Sequence, residues 1–214
     1  PRTWRGLYGI VDPEVCARRQ IAPVELTGAI LRGGCAVLQL RDKRGDDRDA
    51  LALARAMVAL CRQANVPFVM NDRIDLALLC EADGVHLGQD DLPVAEARRI
   101  FDGPIGLSTH DLTQVRAAQA LGADLIGFGP VFETVTKTNP DPTVGVDGLR
   151  EAVEASPLPV VAIGGVDLER CALVQSAGAP LAAAIGALCS DGNLFKLAWV
   201  LERRWHWLAR LPVL

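Results

Sequence analysis

The chain has 214 residues, half of them apolar and 22% charged, with a formal net charge of −4. That acidic balance excludes a global basic field for nucleic acid. No apolar run reaches the ~18 residues needed to cross a bilayer, and residues 1–6 lack the apolar core of a signal peptide. Small-molecule partners and a cytoplasmic location are therefore expected. An anionic ligand would have to be held by a local cluster of cations and backbone N–H groups.

Short β-rich runs alternate with longer helical patterns along the whole chain. Strands are predicted at residues 7–11, 36–40, 68–70, 84–87, 105–107, 125–128, 160–163 and 181–185. Several are continuously apolar, as strands covered on both faces should be. Helices are predicted at 23–32, 46–64, 72–80, 93–101, 112–121, 147–155 and 168–177, with a last one at 194–208. Asp111, Asp147 and Asp167 stand where an N-cap would accept the first free N–H groups. Gly122 and Gly178 stand at the C′ position, where a left-handed residue is usual. Gly-Ala leads into the next strand after both, and "EADGVHLG" repeats the turn with Ala82 in place of the first Gly. The six cysteines form no C-x-x-C pair and lie mostly in apolar or helical stretches. They read as small core hydrophobes in a reducing compartment.

Strands and helices alternating in this number predict one (β/α)₈ TIM-barrel domain over residues 1–214. A doubly wound open sheet is the alternative, disfavoured because no G-x-G-x-x-G turn follows the first strand.

The strand ends carry the chemistry. Strand two ends in Gln39, Arg41 and Lys43, alternate residues that share a face while extended. Strand three runs into Asn71 and Asp72, strand four offers His86 and then Asp91, and strand five ends in Ser108. Strand six leads to Thr134, Thr136 and Lys137, strand seven to Gly164 and Gly165, and strand eight to Ile185 and Gly186. In a parallel barrel all of these converge on one rim. Cations beside two carboxylates suit a polyanion carried with Mg²⁺, which takes one or two carboxylates plus phosphate oxygens. The glycines after strands seven and eight suit a second, backbone-built phosphate site. Each feature has a plainer reading: Gly164-Gly165 as a tight turn, the segment after strand two as a solvated loop, His86 and His110 as structural histidines, and Trp199, Trp205 and Trp207 as packing or interface residues.

Six strings, "LQLRDK" (38–43), "MNDRIDLAL" (70–78), "ADGVHLGQDDLP" (82–93), "GLSTHD" (106–111), "GFGPVFETVTK" (127–137) and "VAIGGV" (161–166), occur in the order and spacing of the thiamin phosphate synthase family, which the chain resembles. The resemblance implies a transferase that joins a pyrimidinylmethyl diphosphate to thiazole phosphate or its carboxylate, releasing pyrophosphate with Mg²⁺. It implies that Arg41, Lys43, Asn71 and Lys137 bind the diphosphate, and that Asp72 and Asp91 hold Mg²⁺. Gln39, His86 and Ser108 would line the pyrimidine pocket. Thr134, Thr136, Gly165, Ile185 and Gly186 would hold the thiazole phosphate, and Arg41, Lys43, Ser108 and Lys137 would be the catalytic set. The family's C–O bond is thought to break first, leaving a cation on the aminopyrimidine, so the neutral thiazole nitrogen needs no general base.

Two positions depart from the family pattern: Gly186 replaces a common Ser, and Glu133 replaces a common Pro. "FGPVFET" also echoes a related thiazole tautomerase, the alternative activity on the same barrel. A binding protein without turnover and a sugar-phosphate isomerase drafting His110 or Asp12 as base are further alternatives. The loop from 133 to 144 is expected to close over the diphosphate, and a homodimer is compatible with the sequence.

Overall fold

The computed structural model describes residues 5–134 and 141–189. Thr136, Lys137, the centre of the expected closing loop, the predicted last helix and its tryptophans lie outside the described residues.

Eight parallel strands close into a barrel in chain order, β1 to β8. They are β1 (Gly6–Val11), β2 (Val37–Leu40), β3 (Phe68–Asn71), β4 (Gly84–Leu87), β5 (Ile105–Thr109), β6 (Leu125–Phe128), β7 (Val160–Ala162) and β8 (Leu181–Ala184). Closure comes from β1 pairing with β8 as well as β2, with Tyr8 opposite both Val37 and Ala183. This settles the choice against an open doubly wound sheet.

Between strands run α1 (Pro13–Arg18), α2 (Pro23–Gly33), α3 (Asp47–Ala64), α4 (Ile74–Cys80), α5 (Val94–Ala97), α6 (Leu112–Ala118), α7 (Gly145–Ala155) and α8 (Cys171–Ser176). The longest, α3, shows why they dock. It buries Ala50, Ala54, Met57, Val58 and Cys61, one stripe at helical spacing, begins at an Asp46 cap and ends on left-handed Asn65. Among the described residues no helix is long and apolar enough to cross a membrane.

Side chains alternate across each strand, so the core divides in two. Leu7, Leu38, Leu40, Phe68, Met70 and Leu107 pack outward with helix residues. Tyr8, Ile10, Val37, Val69, Leu125, Val161, Leu181 and Ala183 form a separate cluster inside the barrel. All six cysteines are free thiols, and only Cys35 is not fully buried, as their apolar surroundings predicted.

Several local expectations are corrected. Helix α1 was not foreseen, although Asp12-Pro13 is a strong start: Asp12 accepts from the Glu14 and Val15 N–H groups and Pro13 opens the helix. Asp147 is not a cap, because α7 already begins at Gly145; it lies in the first turn and pairs with Arg150. Asp111 and Asp167 do cap their turns. Asp72 does not begin α4: its φ of 60° excludes it from a helix, which starts at Ile74. Gly122 and Gly178 are left-handed as expected, but Glu81, not Ala82, takes that place in the related turn.

The repeated turn has a physical purpose. Asp83 Oδ2 accepts the Phe68 N–H at 2.8 Å, and Asp124 Oδ2 accepts the Ile105 N–H at the same distance. Each carboxylate thereby satisfies the first N–H of the strand before its own, at the floor of the barrel where ladder partners run out.

Candidate active site

The inward-facing side chains change character along the barrel. On β2, apolar Val37 is followed by Gln39, which is 2% exposed, and then by Arg41 at the mouth. On β3 to β5 the polar inner positions are Asn71, His86 and Ser108. Register places Asn71 beside His86 and His86 beside Gly106, while Ser108 neighbours Gly127. A buried carboxamide is costly without a partner. Gln39 has one: its amide donates to the Tyr8 hydroxyl at 3.0 Å. Burial pushes the Tyr8 phenol above its usual range, so it stays a neutral hydroxyl.

His86 lies across two glycines. A Cβ on Gly106 would stand 2.5 Å from its Nδ1, and one on Gly127 would stand 3.1 Å from its Cε1. These strand glycines therefore make the slot that admits the ring. Its Nε2 is 2.9 Å from Ser108 Oγ. Burial lowers the imidazole to about 4, against an opposing pull from Asp91, so the ring is neutral at physiological pH.

On one side of this pocket lie the charges. Asp72 has positive φ, and its N–H donates to the His86 carbonyl at 2.8 Å, which ties the β3 turn to β4. Lys43 reaches across to the Asp72 carboxylate. Asp72 and Asp91 share a hydrogen bond, and Asp91 Oδ2 also accepts the Gly88 N–H at 2.6 Å. Burial first, and the Asp91 carboxylate second, push Asp72 up to about 6 despite Lys43. Burial also works against charge on Asp91, but the bond from Asp72, the Gly88 N–H, Lys43 and His86 hold its pKa below the usual range. Two carboxyls this close keep a proton or a cation between them. That donor set, a pair of hard carboxylate oxygens beside Lys43, fits Mg²⁺. Among the described residues no group of three or more His, Cys, Asp or Glu is arranged to hold a metal, so the pair would depend on ligand oxygens and water to complete a coordination shell.

Across the mouth, the loop after β6 is stitched to the turn after β7. Val131 N–H donates to Ile163 O at 2.8 Å, and Phe132 N–H to Gly164 O at 3.0 Å. Gly165, at φ 63°, lies so close that a Cβ would be 2.4 Å from Glu133 O. Arg170 donates to Gly165 O at 2.7 Å and stacks 5.0 Å from the Phe132 ring centroid. Thr134 and Gly165 thus sit on one stitched pair of loops, with the Glu133 residue exposed. Ile185 follows β8, and Gly186 opens the 3₁₀ turn Gly186–Cys189.

The rim therefore gathers Gln39, Arg41, Lys43, Asn71, Asp72, His86, Asp91, Ser108, Thr134, Gly165, Ile185 and Gly186 at the C-terminal ends of the strands. Three residues were missed as site builders, Tyr8, Gly106 and Gly127, and Asp12 was considered only as a base. The glycines carried a signal, since glycine is unfavourable inside a strand unless something must approach closely. His110 is engaged: Nδ1 is 2.7 Å from the Gly129 carbonyl and 3.5 Å from Asp141. Asp12 has both oxygens occupied, one by the α1 N–H groups and one by Arg41. Asp12 is therefore committed to structure on both oxygens, whereas among the described residues the His110 ring is engaged at Nδ1 alone.

Fold and rim together place the chain in a (β/α)₈ enzyme class with cations, a carboxylate pair and glycine turns at one mouth. The chain belongs to the thiamine monophosphate synthase family, which it matches over residues 7–188. The thiamine-phosphate synthase of Halalkalibacterium halodurans is 40% identical over 92% of this chain and 96% of its own. That of Synechococcus sp. (strain CC9311) is 45% identical over 77% of this chain, which spans only 47% of that longer relative. The solved thiamine phosphate pyrophosphorylase of Pyrococcus furiosus superposes with a TM-score of 0.88 at 32% identity, covering 97% of this chain and 98% of that one. These relatives lend the tautomerase alternative no support.

Proposed function

We propose that this chain is a transferase of the thiamin phosphate synthase type. It would join 4-amino-2-methyl-5-pyrimidinylmethyl diphosphate to thiazole phosphate, or its carboxylate, and release pyrophosphate. In this reading residues 1–214 form one domain acting in the cytoplasm. The observation that carries it is the adjacency, on one barrel mouth, of a cationic and acidic cluster (Arg41, Lys43, Asp72, Asp91) to a polar pocket built from Gln39, His86 and Ser108.

Asp72 and Asp91 would hold Mg²⁺, which when bound neutralises charge on the diphosphate. Arg41, Lys43 and Asn71 grip the leaving group, joined by Lys137 from the loop after β6. Gln39 and neutral His86 read the pyrimidine edge, and Ser108, oriented by His86, faces the reacting carbon. Thr134 and Thr136, with Gly165, Ile185 and Gly186, seat the thiazole phosphate. A backbone N–H at Gly186 serves where the family commonly has a hydroxyl. The attacking thiazole nitrogen is already neutral, so catalysis reduces to stabilising the leaving group and positioning the nucleophile. The family match, not the lack of a base, is what sets a sugar-phosphate isomerase aside.

The test supplies both substrates with Mg²⁺ and follows pyrophosphate and thiamin phosphate. Stoichiometric release of the two products, abolished by a chelator and restored by Mg²⁺, is expected. Isomerisation of the thiazole with no pyrophosphate would overturn the reading.

A further inference from the structure

Arg41 ends β2 at the mouth, yet the group that holds it comes from the neighbouring strand. Asp12, only 5% exposed at the end of β1, divides its carboxylate. Oδ1 accepts the Glu14 and Val15 N–H groups at 3.0 and 3.2 Å, and Oδ2 meets Arg41 Nη1 at 2.5 Å. Backbone and surface contacts run alongside: Arg41 N–H donates to Val11 O at 2.9 Å, and Glu14 pairs with Arg44 at 3.2 Å. The start of α1 therefore fixes the carboxylate, and the carboxylate fixes the guanidinium. An arginine presents five N–H donors. Asp12 engages Nη1 and leaves the rest of the fork available to an incoming phosphate. Free arginine side chains lose rotamer freedom when they bind, and a buried anchor removes part of that cost beforehand.

We propose that Asp12 is a positioning residue for diphosphate binding, acting through Arg41 without touching the substrate. This rests on the reading of Arg41 as a diphosphate ligand. It assigns Asp12 a task other than the general base that its buried carboxylate would suggest.

The discriminating variants are Asp12→Asn, Arg41→Ala and the double variant. Asn is a good N-cap, so α1 keeps its acceptor while the charge facing Arg41 is lost. Asp12→Ser is the second choice if the amide variant is poorly folded, because it also caps but is too short to reach Arg41. With Mg²⁺ present, pyrophosphate binding is measured by calorimetry, alongside KM for each substrate. Asp12→Asn is expected to weaken pyrophosphate roughly 10-fold, on the scale of losing a residue that orients a ligand group. It should raise the diphosphate KM similarly and leave the thiazole phosphate KM unchanged. In the Arg41→Ala background it should add less than about 2-fold, since the side chain it positions is gone. An equal effect in both backgrounds, or equal changes in both KM values, would mean that Asp12 acts only on structure and would overturn the inference. If Arg41→Ala weakens pyrophosphate but Asp12→Asn does not, the inference alone fails. If Arg41→Ala has no effect, the assignment of Arg41 fails and takes the inference with it.

Discussion

Gly106→Ala tests whether the barrel interior is shaped around the His86 ring. Gly106 lies in mid-strand without a left-handed backbone, so alanine brings no conformational penalty of its own. The added Cβ would stand 2.5 Å from His86 Nδ1, 3.3 Å from Cε1 and 3.4 Å from Cγ. Relief requires the ring to move by about 1 Å, since carbon contacts are optimal near 3.5–4 Å. Gly127 stands against the same ring, and Nε2 is held 2.9 Å from Ser108 Oγ. Moving the ring forfeits that bond, a net ~0.5–1.5 kcal/mol, and an off-rotamer imidazole adds a similar amount. The expected loss is about 1–3 kcal/mol of stability, read as a lower urea midpoint at constant m. If His86 reads the pyrimidine edge, the diphosphate KM should rise roughly 10-fold, equivalent to ~1.4 kcal/mol, with little change for thiazole phosphate. The double variant Gly106→Ala/His86→Ala should be no less stable than His86→Ala alone. A Gly106→Ala protein that unfolds at the wild-type midpoint with unchanged kinetics would refute the slot.

The carboxyl pair predicts a pH-dependent metal affinity. Asp72 sits at about 6, raised by burial and then by Asp91. A cation must displace the shared proton, so Mg²⁺ should bind with little pH dependence above 6 and weaken up to tenfold per unit below it, measured by calorimetry from pH 5 to 8. Asp91→Asn should raise the Mg²⁺ needed for half-maximal activity by at least ~10-fold; an unchanged requirement would remove Asp91 from the metal site. His86, at about 4 because burial disfavours its charged form, should contribute no inflection between pH 5 and 8. An imidazole chemical shift that titrates near 6.5 would contradict this. Asp83→Ala and Asp124→Ala should each cost ~1–3 kcal/mol by leaving the Phe68 or Ile105 N–H without its acceptor, with the KM values of the folded protein unchanged.

Sequence reading located the strands well because their apolar runs are dictated by burial on both sides, and the predicted 84–87 and 125–128 agree with β4 and β6 to the residue. Helix boundaries were less legible. Asp72 reads as a helix start by composition, but its left-handed φ is set by the turn that carries its N–H to His86 O. Asp147 resembles a cap in isolation, yet the start of α7 is set at Gly145, whose N–H donates to Val131 O. Within the site, charged residues at strand ends announced themselves, because few other roles place Arg41, Lys43, Asp72 and Asp91 at successive ends. What makes them work did not. The Tyr8 partner of Gln39 looks like an ordinary core aromatic, and Asp12 like a candidate base. Gly106 and Gly127 signal a close approach by standing inside strands, but that the His86 ring is what approaches is a relation among three strands that no local pattern encodes.

The alternation that builds the barrel also separates its two tasks. Outward side chains such as Leu38, Leu40 and Met70 serve helix docking along the full strand length. Inward ones start as a closed apolar cluster and turn polar within one or two inner positions, as Val37, Gln39 and Arg41 do on β2. A polar side chain buried on the inner wall is costly unless it is hydrogen-bonded, and each takes a partner from an adjacent strand: Tyr8 for Gln39, Asp12 for Arg41, Ser108 for His86. Those partners stiffen the wall before any ligand arrives, which is what transition-state stabilisation by fixed dipoles and charges requires. The Asp72–Asp91 pair draws its partners from loops instead: Lys43 reaches Asp72, and the Gly88 N–H holds Asp91. Burial and then Asp91 still push Asp72 up to about 6, so the proposed Mg²⁺ would offset the repulsion that remains between the two carboxyls.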